Sequence, residues 1–386
     1  MSTEQFALSR ITNSIIFSYH QAYHFRNFGA DYGERYHMDP LYRIEQDRKV
    51  SIGYYQRFGE FDMGDQDPKP CLGVSIQPLD FMNAALGGKM EYRMDESVWT
   101  PDKPLSNIQN MSDLEKLNDI DWDSHRLFLD LFRQIDEMKR AYPDLPISHV
   151  QGVWADGEGG QKTFFTMHTP YTTAFRLMGE DILVTMMLDE ELAAAIFDYL
   201  MRQYDSLWRA VCRRMGWRGT KLHLGDCAAT MLSPELYEKY SLPLYQRIMA
   251  DYEGCVVHSC GRSSHLLELF AQIPKVRQLQ LGDGTDLKKA RSLFPHSSIC
   301  AIYDPGQFLA DRPDHIERKL WQMCDQLQDN FSVSCGGVDP DTPEENILAL
   351  LKVANKLKNL VGITNNEKVD NSLYYRSRSK ITFTSS

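Results

Sequence analysis

Cysteine is scarce in this sequence: eight residues in 386, at positions 71, 212, 227, 255, 260, 300, 324 and 335. That is too few for a disulfide scaffold in so long a chain, and a reducing compartment keeps them as thiols, each a buried packing group unless its neighbours say otherwise. Long apolar runs are missing as well. The longest, such as Ile182 to Met187 and Leu192 to Ile196, fall far short of the roughly 20 residues a membrane span needs. The opening Met1-Ser2-Thr3-Glu4-Gln5 lacks a basic stretch followed by an apolar core, so no secretory signal is legible and a cytoplasmic location is expected. No Lys/Arg-rich run offsets a formal net charge of -11. The broad positive field that recruits nucleic acid or anionic membrane is therefore lacking, and neither is an expected partner. Internal repeats and low-complexity linkers are also absent, so nothing marks a cut into two independent domains.

What is present is the composition of an ordinary globular protein, 42% hydrophobic and 25% charged. Residues 1–65 are rich in Tyr, Phe, Arg and His, with helical spacing around Ile11, Ile15, Ile16 and Tyr19. They read as a helical extension whose aromatic rings pack against the main domain. From residue 70 onward short apolar runs alternate with longer amphipathic ones. Strands are expected at Cys71 to Ile76, Ile147 to Val153, Lys221 to Leu224, Cys255 to Val257, Val276 to Leu281, Ser298 to Ile302 and Phe331 to Ser334, with an eighth in Thr163 to Met167. Helices are expected at Glu180 to Met215, Pro234 to Asp251, Ser264 to Ile273, Asp314 to Gln328 and Pro343 to Lys358. Ser233-Pro234-Glu235 and Thr342-Pro343-Glu344 each offer a capping hydroxyl followed by proline at the first helical position. The alternation predicts an α/β fold with parallel strands and crossover helices over residues 66–364. The polar tail, 365–386, is expected to fray.

The sharpest chemical feature is Gly254-Cys255-Val256-Val257-His258-Ser259-Cys260-Gly261, an apolar strand running into His-x-Cys-Gly. In a parallel barrel the C-terminal strand ends line the active-site mouth, so His258 and Cys260 point where function lives. Phe331-Ser332-Val333-Ser334-Cys335-Gly336-Gly337 again sets a cysteine just after an apolar strand. One imidazole and two thiolates, from His258, Cys260 and Cys335, suit zinc and leave the fourth tetrahedral position open. The blander alternative is that each cysteine is a small buried hydrophobe; a catalytic Cys/His pair is a third. Asp226, with His223 three residues before it, follows the Lys221 to Leu224 strand and is the candidate catalytic carboxylate, against the alternative of a helix-start carboxylate held by backbone N–H groups. Gln280, Asp283 and Tyr303 share the strand-end argument and, with His223, are the substrate-binding candidates, or else make ordinary turn hydrogen bonds. His168 caps a helix or packs. Gly157-Glu158-Gly159-Gly160-Gln161-Lys162 fails the spacing of a phosphate loop and reads as a flexible active-site loop.

Taken together, His258-Ser259-Cys260-Gly261, Leu224-Gly225-Asp226-Cys227-Ala228-Ala229 with Leu232-Ser233-Pro234-Glu235, and Cys335-Gly336-Gly337-Val338-Asp339-Pro340 resemble the uroporphyrinogen decarboxylase superfamily from about residue 70 to 360. The resemblance implies a (β/α)8 TIM barrel. His-x-Cys with a distant Cys is similar to the zinc signature of the methylcobamide:coenzyme M methyltransferases, which implies zinc on His258, Cys260 and Cys335. It further implies a methyl group moved between a corrinoid, carried on a partner protein, and a small-molecule acceptor, a thiol such as coenzyme M or a folate; a homodimer is compatible with this class. True uroporphyrinogen decarboxylases carry an arginine-rich N-terminal segment, whereas Val74-Ser75-Ile76-Gln77-Pro78 has no arginine. Decarboxylation of a porphyrinogen or other polycarboxylate is the competing activity, and a non-catalytic corrinoid- or metal-binding module a third reading.

Overall fold

The computed structural model describes residues 14–156 and 162–360. Among them, ten strands follow in chain order: β1 (Ser14–Tyr19), β2 (Leu72–Val74), β3 (Ile147–Val150), β4 (Val153–Asp156), β5 (Lys162–His168), β6 (Gly219–Gly225), β7 (Gly254–Ser259), β8 (Val276–Leu281), β9 (Ser298–Tyr303) and β10 (Phe331–Val338). From β5 on, a helical segment follows each strand before the next, the α/β alternation of the (β/α)8 type. The expected strands from Lys221 to Ser334 are all present within a few residues of their expected bounds, and Thr163 to Met167 is a strand. The single helix expected over Glu180 to Met215 is two, Asp181–Leu188 and Glu190–Met215. Asp189 breaks it by capping the second through the Leu192 N–H at 3.0 Å. Ser233 caps as expected, its hydroxyl accepting the Leu236 N–H at 3.3 Å, but the buried Thr342 hydroxyl makes no such bond. Ile11, the glycine-rich Gly157 to Gln161 stretch and the 365–386 tail lie outside the described residues.

The described residues divide into two compact units. The first draws on Met1–Leu72, Tyr92–Ser97 and Gln278–Ser386. Its strands run in the order β1-β10-β9-β8, all parallel, with Ser14 opposite Ser332 and Cys335 opposite both Phe17 and Tyr303. Ser14–Tyr19 is thus a strand where the spacing predicts helix. Ile15 and Tyr19, both buried, are four residues apart, which is in phase with either period, and the backbone pairing with β10 decides between them. The remainder of this segment is helical, at Gln21–Phe28, Glu34–Met38 and Pro40–Phe58. Its aromatic side chains pack on one another: the half-buried His24 imidazole sits between the hydroxyls of Tyr32 (2.7 Å) and Tyr54 (2.6 Å). Burial without a counter-charge pushes His24 down to about 3, so it is a neutral structural bridge.

The second unit draws on Gly73–Glu91 and Val98–Arg277. Its strands pair in the order β3-β4-β5-β6-β7, antiparallel through β5 and parallel from β5 to β7. One strand was expected over Ile147 to Val153; the structure has the hairpin β3–β4 instead. Gln151 (φ 37°) and Gly152 (φ 72°) both take the left-handed backbone that a two-residue hairpin turn requires. The Gln151 side chain stabilises that turn by accepting the Ile76 N–H and donating to the Ile76 carbonyl, each at 3.0 Å. The long helix Glu190–Met215 buries Leu192, Ile196, Leu200, Leu207 and Val211, a stripe at helical spacing that forms the unit's core. No described helix is long and apolar enough to cross a membrane.

Candidate functional site

Register assembles the site of the second unit. His168 at the end of β5, Gly225 at the end of β6 and His258 on β7 are direct partners across the three parallel strands. Gly225 has no side chain to separate its neighbours, and the His168 ring occupies that space: a Cβ on Gly225 would lie 2.9 Å from His168 Cδ2. One residue further, the Asp226 N–H donates to the His258 carbonyl at 2.7 Å, so the two chains stay side by side beyond the last paired position. Cys227 and Cys260 follow the paired residues Gly225 and His258 by two: Cys227 opens the short 3-10 turn Cys227–Met231, and Cys260 stands just past the end of β7. The outcome is a cluster in which one ligand atom each from Cys227, His258 and Cys260 lies within 4.8 Å of the others. His258 is buried and both cysteines are half-buried. Gly261 lets the chain turn away here, since a Cβ on it would meet Thr230 Cγ2 at 2.9 Å.

The surroundings of the cluster are built from hydroxyls. Asp226 is fully buried, and burial pushes its carboxyl above the usual range. Hydroxyls oppose that shift: Thr169 Oγ1 donates to Oδ1 at 2.7 Å, Tyr245 Oη to Oδ2 at 2.8 Å, and the Tyr237 hydroxyl also acts on the carboxyl. Thr169 also caps the helix Pro170–Met178, and Thr172 in its first turn accepts the Ala228 N–H at 3.2 Å. This ring of hydrogen bonds fixes the turn that carries Cys227. Tyr237 opens a π-helical turn, Tyr237–Ser241, inside the Pro234–Ile248 helical segment.

The two thiols titrate as a pair. The hydrogen bond from Cys227 and the neighbouring His258 favour the thiolate on Cys260, while that same bond and burial hold the Cys227 thiol protonated. His168, buried with His258 nearby, is pushed down to about 3 and is neutral. His223 is fully buried, its ring centroid 5.8 Å from that of His258 and 5.9 Å from that of Phe164. An imidazole with two thiol sulfurs is a donor set for a soft or borderline divalent ion, and these three residues can hold one.

Of the residues singled out in the sequence, His223, Asp226, His258 and Cys260 come together in this unit, while Gln280, Asp283, Tyr303 and Cys335 belong to the other. There Asp283 is ion-paired to Lys319, with Nζ to Oδ2 at 2.6 Å. Tyr303, opposite Cys335 in register, donates its hydroxyl to Asp311 Oδ2 at 2.7 Å. The Lys319 Nζ sits 4.2 Å from the Tyr303 ring centroid. Burial and Asp311 both raise the Tyr303 phenol, so it is a hydrogen-bond donor and not a base. Gln280 and Cys335 are buried. Sequence reasoning missed Lys319, Thr169 and Tyr245, and took Cys227 only as part of a motif. The two-residue offset from Gly225 and His258 is the signal that finds Cys227, once the register is known.

The sequence model of the uroporphyrinogen decarboxylase (URO-D) family matches residues 158–357, more than half of the chain. No curated protein matches the sequence. Among solved structures, a methyltransferase from Methanosarcina mazei superposes with a TM-score of 0.55 at 16% identity, covering 89% of this chain and 92% of that one. That likeness is one of fold.

Proposed function

The chain belongs to the uroporphyrinogen decarboxylase family, and from that premise we propose that it is a zinc-dependent methyltransferase moving a methyl group between a corrinoid and a thiol. The observation that carries the reading is the convergence of Cys227, His258 and Cys260. Zinc, when bound by such ligands, lowers the pKa of an acceptor thiol so that a thiolate exists at neutral pH. Two sulfur ligands keep the site electron-rich, which suits thiol alkylation better than water activation.

The residues around the cluster bind and orient. His258 and Cys260 are the two ligands on which the motif and the geometry agree. The family resemblance assigns the third to Cys335; the cluster within one unit offers Cys227. Asp226, the proposed catalytic carboxylate, accepts a hydroxyl hydrogen bond on each oxygen and through them holds the Cys227 turn. His168, a neutral buried ring, and the buried His223 wall off His258. Gln280, Asp283 and Tyr303 remain the proposed substrate-binding residues of the other strand ends, Asp283 acting together with Lys319. A corrinoid protein as methyl carrier, a small-molecule acceptor, a homodimer and a cytoplasmic location, where thiols stay reduced, complete the proposal.

Metal analysis of the purified protein with Cys227→Ser, Cys260→Ser and Cys335→Ser tests it. Stoichiometric zinc should be lost with Cys260→Ser, and whichever of the other two variants loses it identifies the third ligand. Zinc-free protein that decarboxylates uroporphyrinogen would replace this reading with the decarboxylase one. Zinc-loaded protein that transfers no methyl group from methylcobalamin to any thiol would leave a metal-binding module.

A further inference from the structure

We propose that Cys227 and Cys260 are a modification site: in the absence of bound metal they are oxidised by a peroxide to an intramolecular disulfide, which removes both sulfurs from the ligand set. The inference goes beyond the methyltransferase reading and holds whether or not that reading does, because it rests on the placement of two sulfurs.

The geometry has three parts. The Sγ atoms are within 4.8 Å of one another. The residues that carry them follow the paired Gly225 and His258 by two, with the Asp226 N–H to His258 carbonyl bond holding the two segments together between. Both cysteines are half-exposed, so a small oxidant reaches them. The other thiols differ: Cys212, Cys255, Cys300, Cys324 and Cys335 are buried, and Cys71 is half-exposed.

The chemistry balances with peroxide as the only co-reactant. One sulfur attacks the peroxide, an S–O bond forms, the O–O bond breaks, and the departing hydroxide takes up the thiol proton as water. The second sulfur attacks the first, the S–S bond forms, the S–O bond breaks, and the hydroxide leaves with the second thiol proton as a second water. Two thiols are oxidised and one peroxide is reduced.

The test uses the full-length protein, stripped with a chelator or loaded with zinc, exposed to hydrogen peroxide and mapped by peptide mass spectrometry without reductant. The expected result for stripped protein is a Cys227–Cys260 cross-linked peptide pair, two hydrogens lighter than the thiols, reversed by dithiothreitol. Zinc-loaded protein should form it more slowly and release zinc in step with it. Cys227→Ser should give a dimedone-reactive sulfenic acid at Cys260 in place of the link. Oxidation of Cys71 with the two cluster thiols still reduced, or Cys260 advancing to sulfinic acid while Cys227 stays reduced in stripped protein, would overturn the proposal. If the protein binds no zinc, the cross-link in stripped protein is still scored, so the two readings fail separately.

Discussion

Gly225→Ala is the most informative single change, because the structure gives both the obstacle and its owner. The new Cβ would sit 2.9, 3.3 and 3.4 Å from Cδ2, Nε2 and Cγ of His168, a ring only 2% exposed that cannot swing into solvent. Overpacking of this kind costs about 1–3 kcal/mol. Gly225 does not have a positive φ, so alanine can adopt its backbone, and the alanine preference in a strand returns about 0.5–1 kcal/mol. The net destabilisation should then be about 0.5–2 kcal/mol, read as a lower urea midpoint of the metal-free protein with an unchanged slope. The sharper measurement is a double-mutant cycle with His168→Ala, which deletes the obstacle. In that background Gly225→Ala should be neutral or stabilising, giving a coupling of about 1–3 kcal/mol. An equal cost in both backgrounds would refute the claim that an empty position at 225 is what admits the His168 ring beside His258.

Asp226→Asn tests the buried carboxylate through pH. Burial holds the folded-state pKa of Asp226 above its unfolded value, so its contribution to stability is full below the unfolded pKa, about 4, and is lost as pH rises through the folded pKa. The stability of the metal-free wild type relative to Asp226→Asn should therefore increase as pH falls toward that value; a difference that stays flat with pH speaks against it. In the first unit, Arg291 donates to five carbonyls, those of Phe294, Ser297, Leu327, Asp329 and Asn330, and ties two loop segments together. Arg291→Ala should cost about 3–5 kcal/mol by urea unfolding, since several acceptors lose their donor at once. Arg291→Lys should recover little, because one ammonium cannot span the planar fork; full rescue by lysine would show that charge alone matters.

Much of this fold was legible because its signals are local. Strands such as Val276–Leu281 announce themselves by apolar runs between helices, and Ser233-Pro234 marks a helix start by its own side chain. The failures share a different cause. Ser14–Tyr19 reads as helix because Ile15 and Tyr19 fit both periods, and only the pairing with β10, over 300 residues away, selects the strand. Gln151-Gly152 hides a hairpin because glutamine is an uncommon choice for a left-handed position, tolerated here by its two hydrogen bonds to Ile76.

The same distinction governs the candidate site. Alternation along β7 puts His258 and Cys260 on one face from the sequence alone, but which residues of β6 meet them depends on register, and register is a relation between segments. Slipping β6 by a single residue would bring Asp226 opposite His258 and flip the strand's side chains to the other face. What pins the observed register is the Gly225 position: among the residues at the end of β6 it alone leaves room for the His168 ring on one side while pairing with His258 on the other. The glycine that looks like the least chemical residue of Leu224-Gly225-Asp226-Cys227 therefore decides where the cysteine's sulfur goes. A slip in either direction would leave a side chain in the space the imidazole needs.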